Sequence, residues 1–109
     1  MERQLVEARI RPDAETGYAP THPYVRRFWI AAIGPGAVAD LLRLTAAAHR
    51  GRPLKAPIHL PTLVSEGLAA RTSDGAIEVG TTVPRLKDTH VARLRPGLRQ
   101  EHQRTPLPR

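Results

Sequence analysis

Leu63-Val64-Ser65-Glu66-Gly67-Leu68-Ala69-Ala70-Arg71-Thr72-Ser73-Asp74-Gly75-Ala76-Ile77-Glu78-Val79 is the stretch in which the hydrophobic period changes. Together with Leu60, the apolar residues Leu63, Val64 and Leu68 fall three and four apart, so a short helix is expected over Pro61 to Leu68, with Pro61 at its start and Gly67 near its end. Beyond it the pattern alternates. Ile77 and Val79 flank Glu78, and Asp74-Gly75 is a turn pair in which both residues tolerate positive φ. A β-hairpin over residues 69–79 is therefore expected, with one face buried.

Upstream lie two longer helical patterns. Thr21 can cap and Pro23 suits a first turn; Tyr24, Val25, Phe28, Trp29, Ala32 and Ile33 then recur at helical spacing. This stretch holds the only Phe, the only Trp and one of the two Tyr, so it is expected to anchor the core. Gly34-Pro35-Gly36 breaks it, with Gly34 suited to a left-handed end and Pro35 to the first turn of the next helix. From Ala37 to His49, Val38, Leu41, Leu42, Thr45 and Ala48 share a face, with Asp40, Arg43, Ala47 and Arg50 largely opposite. Asp40 is expected to support the start of that helix through the macrodipole. Gly51 and Pro53 end it, and the prolines keep residues 53–60 extended.

Downstream, Asp88 can cap a last helical segment carrying Val91, Leu94 and Leu98, divided by Pro96-Gly97. Leu5, Val6 and Ile10 mark a short helix or strand, and Pro12 to Pro20 reads as a loop. The expected organisation is a flexible N-terminal extension (residues 1–20), a single domain (21–104) and a disordered tail (105–109). The expected fold class is mainly α with a β-hairpin, that is α+β.

The 109 residues carry 17 Lys plus Arg against 10 Asp plus Glu, a net charge of +7. Arg takes 15 of those positions, and the excess of Ala, Gly, Pro and Arg matches the coding bias of a high-GC genome. The identity of the cation is thus uninformative, but the charge itself favours a polyanionic partner. With no Cys, thiol catalysis and cysteine-ligated metals are excluded. The histidines His22, His49, His59, His90 and His102 show no metal-ligand spacing. The carboxylates are scattered and no nucleophile elbow is present. The reading is therefore of a non-enzyme without cofactor or metal. No secretory signal or apolar run of membrane-spanning length appears, so a cytoplasmic protein with no membrane partner is expected.

The quoted run resembles the end of a winged-helix domain, in which a helix closing on a Gly-Leu step leads into a strand, a charged wing turn and a returning strand. With the upstream helices, the resemblance extends over residues 22–86. It implies a winged-helix-like fold and DNA binding, with Leu63, Val64 and Leu68 packed inward, Arg71 at the base of the wing and Asp74-Gly75 at its tip. The helix that would read DNA, residues 61–68, carries no Arg or Lys. The joint from Arg50 to Leu60 also exceeds the usual helix-turn-helix turn. The expected mode is thus phosphate contact, by DNA more than RNA, through Arg50, Arg52, Arg71, Lys87, Arg93 and Arg95. The alternative is a protein-interaction module or accessory subunit without direct DNA binding.

Overall fold

A computed structural model describes residues 4–11 and 16–108. Its class is α+β. Strands β1 (Leu5–Val6) and β2 (Ala8–Ile10) open the chain. Helix α1 begins as a π-helical stretch, Val25–Trp29, and ends as an α-helical turn, Ile30–Ile33. Helix α2 (Pro35–Arg50), strand β3 (Leu54–Lys55), helix α3 (Leu60–Ser65), strands β4 (Ala69–Arg71) and β5 (Ile77–Val79), and helices α4 (Asp88–Val91) and α5 (Pro96–Arg104) follow.

The hairpin forms where the alternation places it. β4 and β5 pair antiparallel, Ala69 opposite Val79 and Arg71 opposite Ile77. Ile77 and Val79 are buried, while Glu78 is half-buried. The turn is closed by Thr72: its N–H donates to Ala76 O at 2.9 Å, and its hydroxyl accepts the Ala76 N–H at 2.9 Å.

The other edge of β5 is where sequence and structure part. β2 lies there in parallel, Ala8 opposite Ile77 and Ile10 opposite Val79, making a three-stranded sheet in the order β2-β5-β4. β1 turns aside to pair antiparallel with β3, Leu5 opposite Lys55. Tyr18 makes a further bridge to Val83. The segment 1–20, expected as a flexible extension, thus supplies two strands and a bridge to the fold. The tail, residues 105–109, is tied in at Pro106, whose carbonyl accepts the Tyr18 hydroxyl at 2.9 Å. Residues 1–3, 12–15 and Arg109 of these two segments lie outside the described residues.

The core sits between α1, α2 and the sheet. Tyr24, Val25, Phe28 and Trp29 are all buried, so the aromatic helix is core and offers no stacking platform to bases. The wide turn is seen in the Ile30 N–H, which reaches Val25 O five residues back. Gly34 separates α1 from α2 at φ 94 and ψ 157, positive but extended rather than left-handed helical. Gly51 takes the left-handed position expected at the end of α2, φ 65 and ψ 30. Lys87, not Asp88, fills the cap position of α4, and Asp88 lies in its first turn.

Asp40 is the clearest local departure. It is only 1 % exposed, on the inner face of α2. One carboxylate oxygen accepts the His59 N–H at 3.0 Å and the other the Arg43 guanidinium. His59 is the residue at which α3 begins, so Asp40 fixes α3 against α2 rather than tuning its own helix terminus. Removing the carboxylate strands the His59 N–H in a half-buried site, at a cost of about 1–3 kcal/mol. Asp40→Ala is expected to lower the thermal midpoint clearly. Asp40→Asn, which keeps an acceptor, should recover most of the loss in the same melting experiment.

Candidate nucleic-acid interface

The six cations singled out by charge fall at element ends, where side chains point to solvent. Arg50 is the last residue of α2, and Arg52 follows the turn whose N–H returns to Ala47 O at 3.1 Å. Arg71 ends β4 beside the turn of the hairpin, opposite Ile77, rather than at the open end of the wing where the resemblance would put it. Lys87 caps α4 and Arg95 caps α5, with Arg93 in the joint between them. All six are exposed, and among the described residues none takes part in an ion pair.

They stand on three parts of the chain. Arg50 and Arg52 share the end of α2, and Arg71 stands on the hairpin. Lys87, Arg93 and Arg95 bracket the single turn of α4, where the His90 and Val91 N–H groups return to Lys87 O at 2.9 and 3.0 Å. That turn is anchored inward by His90, which is 7 % exposed. Its Nδ1 accepts the Lys87 N–H at 3.3 Å, its Nε2 meets the Glu66 carboxylate of α3, and its ring packs on Trp29. The basic loop is thus held to the core through His90 rather than by its own charges.

Five of the described carboxylates have partners elsewhere. Asp74 at the hairpin tip accepts the Arg9 guanidinium at 2.8 Å, and Glu7 accepts it at 3.2 Å. Arg9 and then the Thr72 hydroxyl pull the Asp74 carboxyl down to about 2, so the tip stays charged at any ordinary pH. Glu101 of α5 pairs with Arg27 of α1, which lowers the acid and raises the base. Glu7, Asp40, Glu66, Asp74 and Glu101 all have partners. None of these partners is one of the six cations.

Two other basic residues of the C-terminal quarter turn inward. The Arg85 guanidinium donates to the Tyr18 hydroxyl at 2.8 Å, to Pro106 O at 3.2 Å and to His102 O at 2.8 Å. Arg99 donates to Leu94 O at 3.2 Å. Charge alone does not separate these from Arg93 and Arg95, because their acceptors are neutral carbonyls and a hydroxyl. α3 offers Thr62, Ser65 and Glu66, with Glu66 engaged by His90.

Among the described residues, no group of His, Asp and Glu is placed to hold a metal ion, and no helix is long and apolar enough to cross a membrane. Comparison with known protein families, with curated proteins and with solved structures returned no match.

Proposed function

We propose that this chain is a small nucleic-acid-associated protein that binds DNA mainly through phosphate contacts, as a regulator or accessory factor. The observation that carries the reading is the segregation of charge. The partnered carboxylates take Arg9, Arg27, Arg43 and His90, while Arg50, Arg52, Arg71, Lys87, Arg93 and Arg95 are exposed and make no ion pair among the described residues. Free guanidinium and ammonium groups on a +7 chain are suited to neutralising phosphates. The order α2, α3, hairpin supports a winged-helix-like frame in which Arg71 stands beside the wing turn. With no cation on α3, the mode is backbone contact rather than base readout.

The test is binding to a random duplex of about 30 base pairs at low salt. Wild type should bind, and replacing Arg93 and Arg95 by Gln should weaken binding uniformly across sequences. Absence of binding at low salt would overturn the reading.

A protein-docking role is favoured by a different observation. Ile58 and Leu5 are 69 % and 62 % exposed, and Leu5 pairs with Lys55 on the β1–β3 ribbon three residues before Ile58. In that case a complex recovered from cells would survive nuclease treatment.

A further inference from the structure

The C-terminal helix is fastened to the rest of the chain by a cluster that contains one buried imidazole and an arginine that donates to a hydroxyl and two carbonyls. His102 of α5 is 5 % exposed. Its Nε2 lies 2.7 Å from the Tyr24 hydroxyl, and its ring meets the Phe28 ring edge-on at 4.9 Å. Tyr24 Oη accepts the Leu86 N–H at 2.9 Å, so its own proton is available for Nε2 of a neutral imidazole. Tyr18 stacks on Tyr24 at 3.8 Å, with His22 beside Tyr18 at 5.1 Å. Arg85 lies 5.7 Å from the centre of the Tyr24 ring and holds the carbonyls of His102 and Pro106.

We infer that α5 and the segment Thr105–Pro108 form a strap that is docked while His102 is neutral and released when His102 takes up a proton. The groups that face the imidazole fix the direction. α1 presents Tyr24 and Phe28, while its Arg27 is turned to Glu101. The segment before α4 presents Arg85, and the N-terminal segment reaches the cluster with Tyr18 and His22. On α5 itself, Arg99 is bound to Leu94 O and Glu101 to Arg27. The charge acting on the ring is that of Arg85. A proton on Nε2 removes the acceptor of the Tyr24 hydroxyl and places a second positive charge beside Arg85.

Burial first, and then Arg85, hold the His102 imidazole below its ordinary range. In the released strap the imidazole is solvated and returns to about 6.5. Protons are therefore taken up on release, and docking weakens as pH falls below that value. For an imidazole that stays neutral while docked, the released population gains up to about tenfold at pH ~5.5 relative to pH ~7.5.

Release would uncover the Tyr18–Tyr24 stack and free Arg85, Tyr18 and the Pro106 carbonyl together. The inference is independent of what the exposed cations bind.

Amide hydrogen exchange on the full chain, corrected for intrinsic rates, tests it. The amides of residues 98–105 should lose several-fold to about tenfold protection between pH ~7.5 and pH ~5.5, while those of residues 41–48 in α2 keep theirs. His102→Gln, which retains an acceptor, should show no such pH step. Should that variant fail to dock at all, imidazole titration in the wild type decides, with His102 expected to titrate below about 6.5. Protection of α5 that is independent of pH, a pH step that persists in His102→Gln, or a His102 that titrates at or above its ordinary value would each overturn the strap.

Discussion

Trp29→Ala is expected to be the most damaging single substitution in this chain, lowering stability by about 3–5 kcal/mol. The side chain is 1 % exposed and does three things at once. It fills the space between α1 and the start of the C-terminal quarter. Its Nε1 donates to Pro84 O at 2.8 Å, and its ring supports His90 at 5.2 Å between centroids. Truncation leaves a large cavity, an unsatisfied carbonyl and a histidine without a wall. Domains of this size are stable by roughly 5–15 kcal/mol in total, so the loss is a large fraction of the whole. Trp29→Phe keeps much of the volume but not the Pro84 bond, and should cost about 1–3 kcal/mol. Urea unfolding followed by circular dichroism measures both. A loss under about 1 kcal/mol for the alanine variant would mean that the helix does not anchor the core.

The second large effect concerns affinity. Each phosphate neutralised on duplex DNA releases condensed counterions, giving a slope of about −0.9 per contact in log affinity against log salt. With all six cations engaged the slope should be about −5, and affinity should fall roughly a thousandfold between about 50 and 200 mM salt. The three clusters contribute separately because they stand on different elements. Removing Arg93 and Arg95 should flatten the slope by about 2 and removing Arg71 alone by about 1, with no change in fold since all three are exposed and outside the ion pairs of the described residues. Arg85→Gln makes the opposite case. It should loosen the C-terminal segment, yet leave the slope nearly unchanged, because that guanidinium is turned inward.

The elements with a clear hydrophobic period were legible in the sequence. α2 and the 69–79 hairpin show it in Leu41, Thr45, Ile77 and Val79, and the structure places those side chains in the core. β1 and β2 were legible only as a helix-or-strand alternative at Leu5, Val6 and Ile10, because strands of two and three residues are too short to display alternation, and the partner of β2 is supplied by the distant β5. By its spacing Asp40 falls largely opposite the apolar face of α2, where polarity predicts exposure. What buries it is the His59 N–H, a backbone group that leaves no mark in composition. The same physics limits the site. Exposure of the six cations followed from charge and from their places beside Gly, Pro and helix ends. The inward turn of Arg85 did not, since its acceptors are carbonyls of His102 and Pro106. The fastening of α4 by the Glu66–His90 contact was equally silent, since the two residues lie 24 apart in the sequence and meet only once His90 packs on Trp29.

The measurement that bears most directly on the proposed function is a salt series of duplex binding, wild type beside Arg93→Gln/Arg95→Gln. A slope of about −5 that falls by about 2 in the variant is the expected result and would place the α4–α5 joint on the phosphate backbone. Binding that does not change with salt, or the same slope in both proteins, would contradict phosphate contact by these residues.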